Sequence, residues 1–378
     1  GLTLDTELQT QVVARLARER SAAAVIMDAH RGEIYAMASH PSFDPNLFAT
    51  TLPQDEWDRL LGDLGKPLND KVLSGQYPPG STFKMVVALA ALEAGVVNEK
   101  TSFFCPGHYE IGSERFHCWK RAGHGWVNVY AALAESCDVY FYSIARELGI
   151  KRIAAMAHRL GLGQKYDLSL SQEQPGLIPD QDWKRGTFGT SWQQGETIVA
   201  SIGQGYILTT PLQLAVMTAR MVNGGKAVKP WIVAYSGNHS LQPQINWPSV
   251  GLRDKHLDIV KRGMEMVVNS KTGTAKGSVI REEGMEMAGK TGTAQVKRIT
   301  VEERRAGRVS QEDVLWQHRH HALFVGYAPM DKPRYVCSVI IEHGASGSAA
   351  AAPIARDILL AAQQIDPANK MIKTRAQV

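Results

Sequence analysis

Apolar positions recur in two spacings along this chain. Between Asp5 and Arg20, Leu8, Val12 and Leu16 fall on one stripe and predict an amphipathic helix with Asp5 as its N-cap. Ala23–Asp28 and Glu33–Ala38 are short β-prone runs around Ala29-His30-Arg31-Gly32, which reads as a hairpin turn. Residues 39–75, with Pro41, Pro45 and Pro53, read as loop. The run Met85–Leu92 is almost wholly apolar and predicts a buried helix, which Gly95 stops. Residues 101–127 mix glycines, aromatics and cysteines without a period and are expected to be irregular. Tyr130–Leu148 is helical with a break at Ser136-Cys137-Asp138, residues 150–225 alternate helices with loops, and Asp254–Asn269 is a further helix. Met285–Val296, His321–Ala328 and Tyr335–Glu342 predict three strands, the last two joined by Pro329-Met330-Asp331-Lys332-Pro333. Ala350–Gln364 is a closing helix.

Strands therefore sit at both ends of the chain and helices fill the middle. The simplest packing is α+β: an antiparallel five-stranded sheet made from both termini, flanked by helices, with an inserted all-helical subdomain. We expect one domain over residues 1–378, its sheet part at about 1–60 and 280–378 and its helical part at about 61–279. A hydrophobic fraction of 44% over 378 residues suffices for a large core. The net charge of +5 is modest and no basic block is dense, which argues against nucleic acid. No apolar run reaches the roughly 18 residues that a membrane span needs. The chain opens at Gly1-Leu2-Thr3-Leu4-Asp5 and reads as a domain excised from a longer protein. Residues 297–319, rich in charge (Glu302, Glu303, Arg304, Arg305, Arg308, Asp313), interrupt two strands and read as a solvated loop.

The chemistry begins at Ser81 and Lys84. They lie three residues apart at the start of the apolar helix, so they share a face. A lysine among apolar side chains is costly to keep charged, and its neutral amine is a base for the neighbouring hydroxyl. Ser136-Cys137-Asp138 follows, and then Lys290-Thr291-Gly292-Thr293 at the start of a strand-like run. Ser-x-x-Lys, Ser-x-Asp and Lys-Thr-Gly in this order form the signature of penicillin-interacting serine enzymes. Lys271-Thr272-Gly273-Thr274-Ala275 repeats the third element, but it follows a helix directly and reads as a helix-end turn. The chemistry wants an edge strand that can pair with an extended peptide, so 290–293 is preferred.

Tyr77-Pro78-Pro79-Gly80-Ser81, Ile202-Gly203-Gln204-Gly205, Thr210-Pro211-Leu212-Gln213 and Ala288-Gly289-Lys290-Thr291-Gly292-Thr293-Ala294-Gln295 extend the pattern over nearly the whole chain. With these stretches the chain resembles class B penicillin-binding proteins. Ser136-x-Asp138, and the segment from Cys105-Pro106-Gly107 to Gly123-His124-Gly125, make it similar to the elongation type, penicillin-binding protein 2. The resemblance implies a peptidoglycan D,D-transpeptidase domain whose membrane anchor and pedestal domain lie outside this chain. It implies that Ser81 attacks D-Ala-D-Ala, that Lys84 is the base, and that Ser136 relays the proton. Asp138 would hold Lys84 or the substrate amide, and as a carboxylate it favours a charged lysine. Lys290 adds positive potential, Thr291, Gly292 and Thr293 bind the substrate, and the N–H groups of Ser81 and Thr293 form the oxyanion hole.

The implied partners are peptidoglycan stem peptides as donor and amine acceptor, β-lactam antibiotics, a SEDS-type glycosyltransferase and rod-shape scaffold proteins. The implied place is the periplasmic face of the bacterial inner membrane, in cell elongation and rod shape. A D,D-carboxypeptidase, a β-lactam sensor and a β-lactamase are the alternatives; no Glu-x-x-Leu-Asn element of the last is found. Cys105, Cys118, His124 and Cys137 match a Cys₃His structural zinc set, with a Cys105–Cys118 disulfide or free thiols as the other readings. The acyl-transfer chemistry itself needs no cofactor. Trp119, Trp126 and Tyr130 either line a cleft or pack a core, and core packing is the expectation.

Overall fold

The computed structural model describes residues 1–49, 51–237, 239–296 and 314–375, and the side chains of all of these but 372–375. Asp5 caps α1 (Thr6–Leu16) by accepting the Leu8 N–H at 2.9 Å, and Leu8, Val12 and Leu16 are its buried stripe. The helix stops at Leu16 rather than Arg20, because Ala17-Arg18-Glu19-Arg20 offers no large apolar side chain to prolong that stripe. β1 (Ala22–Asp28) and β2 (Ile34–His40) form the expected hairpin. Within the stretch read as loop lies α2 (Gln54–Gly62). It is nine residues long and buries only Leu60. A 3-10 turn, Gly80–Phe83, leads into α3 (Lys84–Glu93), of which every residue but Glu93 is buried.

Residues 101–127 are not irregular. They form β3 (Phe103–Cys105), β4 (His108–Ile111), β5 (Glu114–His117) and β6 (Gly125–Val127), with β3 paired to β6 and β4 to β5. Strands of three or four residues are too short to display a period, and six of their fourteen residues are exposed. The helical middle comprises α4 (Val129–Ala134), α5 (Asp138–Leu148), α6 (Ile150–Arg159), α7 (Gln181–Phe188), α8 (Gln194–Ala200) and α9 (Pro211–Val222). A small ribbon of β7 (Tyr235–Ser236) and β8 (His239–Ser240) precedes α10 (Asp254–Asn269), whose bounds match the sequence reading. The chain closes with β9 (Ala288–Ala294), β10 (His321–Ala328), β11 (Tyr335–Ile341), α11 (Ala352–Ile365) and α12 (Pro367–Arg375). Of the charged insertion, residues 297–313, including Glu302, Glu303, Arg304, Arg305, Arg308 and Asp313, lie outside the described residues.

The sheet has five strands in the order β2-β1-β11-β10-β9, every neighbouring pair antiparallel. Strands from the two ends of the chain thus meet at β1 and β11, and the fold is α+β as expected. β1, β11 and nearly all of β10 are buried on both faces. Alternate residues separate the two cores: Ala23, Val25 and Met27 pack with α3, α5 and α9. Ala22, Ala24 and Ile26 pack with α1 and with Ile354, Ile358 and Leu359 of α11. Helices on both faces explain why these strands read as continuous apolar runs rather than alternating ones. β9 stands at the edge of the sheet, beside the 3-10 turn that carries Ser81. Among the described residues no helix is long and apolar enough to cross a membrane.

Candidate active site

Two close backbone approaches set the geometry. Gly80 adopts φ +54°, and a Cβ there would lie 2.4 Å from the Thr293 carbonyl oxygen, so only glycine lets the serine turn rest against β9. Gly203, at φ +70°, accepts the Gly80 N–H at 2.9 Å; a Cβ on it would lie 2.2 Å from the Gly80 oxygen. The Gly203 and Gly205 turn read from the sequence is therefore a clamp behind the serine. Ser81 itself is half-buried. The 3-10 turn has three residues per revolution, which stacks Ser81 and Lys84 on one face.

Lys84 is fully buried and its ammonium is saturated. Nζ donates to the Ser136 carbonyl oxygen at 2.9 Å, to Ser136 Oγ at 3.2 Å and to Asp138 Oδ1 at 2.6 Å. Lys290, also fully buried, reaches the same hydroxyl: Nζ to Ser136 Oγ is 3.0 Å. One serine hydroxyl thus bridges two lysines from opposite walls. Burial, and then the Lys84 charge, push Lys290 well below the usual lysine range. Burial also raises the Asp138 carboxyl above its usual range, and the Lys84 charge opposes that rise. The site therefore favours one shared proton fewer than two charged lysines would carry. Ser136 holds this bridge from the left-handed region at φ +55°, between the end of α4 and the start of α5. For a residue other than glycine that conformation costs about 1–2 kcal/mol, which the hydrogen bonds to its hydroxyl and carbonyl offset.

β9 carries Lys290, Thr291, Gly292 and Thr293, and the repeat at 271–275 lies in the turn after α10, with Lys271 exposed. The repeat is not idle. Thr274 Oγ1 hydrogen-bonds Thr291 Oγ1 at 2.8 Å, and the Thr274 N–H donates to the Ala134 carbonyl at 3.1 Å. It ties β9, which carries Lys290, to the end of α4, just before the Ser136 that bridges the two lysines.

Cys105, Cys118, His124 and Cys137 converge: their four ligand atoms lie within 4.8 Å of one another. His124 Nδ1 is 3.5 Å from both Cys105 Sγ and Cys118 Sγ. Tetrahedral zinc with ordinary bond lengths would separate sulfur and nitrogen ligands by roughly 3.6 Å, so the donor set fits that ion. The contact with Cys137 holds the Cys118 thiol well below the usual thiol range, and the same contact, with burial, raises Cys137. All four cysteines of the chain are free thiols, so the Cys105–Cys118 disulfide is not formed.

The sequence model described as penicillin binding protein transpeptidase domain matches residues 22–360. The chain belongs to that family. Peptidoglycan D,D-transpeptidase MrdA of Acinetobacter baumannii is 38% identical over 93% of this chain and 52% of its own length. The chain spans about half the length of the curated relatives it matches. Among solved structures, Pseudomonas aeruginosa PBP2 in complex with WCK 5153 superposes with a TM-score of 0.85 at 39% identity, covering 95% of this chain and 77% of that one. Helicobacter pylori PBP2 in complex with MreC gives 0.85 at 32% identity, covering 96% and 64%. A chain of a peptidoglycan synthase complex that coordinates polymerization and crosslinking gives 0.79 at 33%, covering 95% and 61%.

In this transpeptidase domain, three residues near the serine escaped the sequence reading. Gln204 Nε2 donates to the Thr293 carbonyl at 3.0 Å. Trp119 donates its backbone N–H to Asp138 Oδ2 at 2.8 Å and its indole N–H to the carbonyls of Glu135 and Ser136. Thr274 was set aside with the repeat. Gln204 and Thr274 lay in motifs already noted, but all three act through contacts distant in sequence. The expectation that Trp119 and Trp126 pack a core is corrected: they are 48% and 71% exposed. Short ribbons leave them no second layer to pack against.

Proposed function

We propose that this chain is the catalytic domain of a peptidoglycan D,D-transpeptidase that works through a serine acyl-enzyme. The observation that carries the reading is the Ser136 hydroxyl held between the Lys84 and Lys290 amines, beside the turn that bears Ser81. Asp138 Oδ1 at 2.6 Å and the Ser136 carbonyl at 2.9 Å hold the Lys84 amine, which acts in its neutral form. That amine takes the Ser81 proton as Oγ attacks the carbonyl of the D-Ala-D-Ala bond. The Ser81 and Thr293 N–H groups receive the oxyanion. Ser136 relays the proton onward to the leaving D-alanine amine, with Lys290 holding the relay in place. Thr291 and Thr293 bind the terminal carboxylate, and Gly292 keeps the strand open to the peptide. An amine of a neighbouring stem peptide then attacks the ester and regenerates Ser81.

A β-lactam follows the same first step and stops there. With nitrocefin we expect about one equivalent of ring opening per protein and then slow release. Rapid multiple turnovers would instead make the domain a β-lactamase. The same family likeness supports the wider proposal. The whole protein would work at the periplasmic face of the inner membrane, in elongation and rod shape. Its partners would be a SEDS-type glycosyltransferase and scaffold proteins, as the H. pylori complex with MreC and the synthase complex suggest for their own chains.

We also propose that Cys105, Cys118, His124 and Cys137 hold one structural zinc. The ion would neutralise thiolates and clamp the β3–β6 ribbon to the loop bearing Ser136 and Asp138, through Cys137 between them. Metal analysis of reduced, purified protein should find about one zinc per chain. Its removal by chelator should lower the thermal midpoint and slow acylation together. Protein without stoichiometric metal and with full activity rejects this assignment.

A further inference from the structure

The β3–β6 ribbon carries a face that no step above uses. Phe103 and Cys105 turn inward, Phe103 against the Tyr140 ring at 5.4 Å and Cys105 into the cysteine cluster. Strand alternation turns Phe104 and Trp126 the other way. They sit opposite each other across the ribbon, with ring centroids 5.7 Å apart, and are 54% and 71% exposed. Trp119 adds a third exposed ring beside the catalytic loop, where its indole N–H donates to the carbonyls of Glu135 and Ser136. Over residues 101–135 these three are the exposed large apolar side chains, and all are aromatic. Such a cluster marks a contact surface. A short path joins it to the cleft. Phe104 precedes Cys105, whose sulfur lies within 4.8 Å of that of Cys137, and Cys137 follows Ser136.

The size of the face says what covers it. Two aromatic side chains offer roughly 300–500 Å² between them. A stable protein interface takes roughly 800 Å² from each partner, and no exposed aliphatic side chain on the ribbon enlarges the patch. A nucleic acid asks for a basic groove beside the rings, and the chain has no dense basic block. A pyranose ring has about the area of one aromatic face. It offers C–H groups to that face and polar groups round its rim, so each sugar needs only one ring. Stem peptides are a few residues long, so the amino-sugar backbone that bears one passes within roughly 20 Å of Ser81 while the peptide is in the cleft. We propose that Phe104 and Trp126 form a stacking platform for the glycan backbone of peptidoglycan, which Trp119 continues toward the cleft. The platform seats the β-linked amino sugars while β9 holds the peptide. The identity of the sugar polymer rests on the serine acyl-transfer reading.

The test titrates peptide-free oligomers of alternating N-acetylglucosamine and N-acetylmuramic acid into the protein by calorimetry. Attachment of benzylpenicillin is followed by intact mass on the same samples. The unaltered protein should bind the oligomer. Trp126→Ala and Phe104→Ala should each weaken binding about fivefold, the scale of one aromatic stacking contact. Trp126→Phe keeps a ring in place and should recover most of the affinity. All three variants should take up benzylpenicillin at the unaltered rate, because they leave the inward face of the ribbon and its backbone pairing intact. No binding by the unaltered protein, or binding unchanged in both alanine variants, overturns the platform while leaving the acyl-enzyme intact. Penicillin attachment that falls in parallel with glycan binding makes the rings structural and overturns it too. Failure of benzylpenicillin to attach to Ser81 of the unaltered protein overturns the acyl-enzyme reading, a result the glycan titration does not share.

Discussion

Ser81→Ala is expected to abolish covalent penicillin attachment, with the acylation rate falling by a factor on the order of 10⁶, the scale seen for loss of a serine nucleophile. The fold should survive. Ser81 is half-buried, its hydroxyl makes no hydrogen bond among the described residues, and alanine suits a 3-10 turn. Its thermal midpoint should therefore stay close to that of the unaltered protein, as surface-like substitutions usually do within about 0.5 kcal/mol. Intact mass after incubation with benzylpenicillin reads the adduct, and calorimetry reads the fold. An adduct of undiminished rate on the alanine variant would move the nucleophile elsewhere and undo the mechanism. The substitution leaves the lysine bridge through Ser136 untouched. Any residual slow attachment then measures what the preorganised lysines and the oxyanion donors do without a nucleophile.

The site was legible wherever chemistry imposes a short spacing. Ser81 with Lys84 lies within one turn, Ser136 with Asp138 flanks a helix start, and Lys290 to Thr293 occupies one strand. The periods of α1, α10 and β9–β11 gave the sheet and its antiparallel sense, because long apolar runs have only a few ways to be buried. What the sequence hid is held by single long-range contacts. Trp119 meets Asp138 across the cysteine ribbon, and Thr274 meets Thr291 from a turn that looked like a spare motif. The ribbons at 103–127 hid for a different reason. Phe103, Tyr109, Ile111 and Phe116 do pack against the helical core, but strands of three or four residues are too short for a hydrophobic period to show. α2 hid because it is a short helix starting directly after Pro53, in a stretch that Pro41, Pro45 and Pro53 mark as loop.

Lys84→Met is expected to fail twice, and the two failures can be separated. The first is chemical. Removing a positioned base typically costs 10²–10⁴-fold, so acylation should fall by about 10³. The second is structural. Asp138 Oδ1 loses its 2.6 Å partner, and a carboxylate buried to 7% exposure is left uncompensated. Breaking a buried pair from one side costs roughly 3–5 kcal/mol. Adding Asp138→Asn should return most of that stability. The asparagine carbonyl can still accept the Trp119 N–H, and its amide can donate to the Ser136 carbonyl that Lys84 held. The double variant should be folded and inactive, as urea unfolding and acylation rates together will read.

Asp138→Asn alone separates the roles further. The Lys84 amine remains, so acylation should persist, while the Trp119 N–H, facing the amide once Lys84 takes the carbonyl, costs about 1–3 kcal/mol of stability, read by urea unfolding. A double variant that acylates near the original rate would show that the base is not Lys84. Lys290, whose amine burial already keeps poorly charged at 3.0 Å from the same hydroxyl, would then be the group that takes the serine's proton.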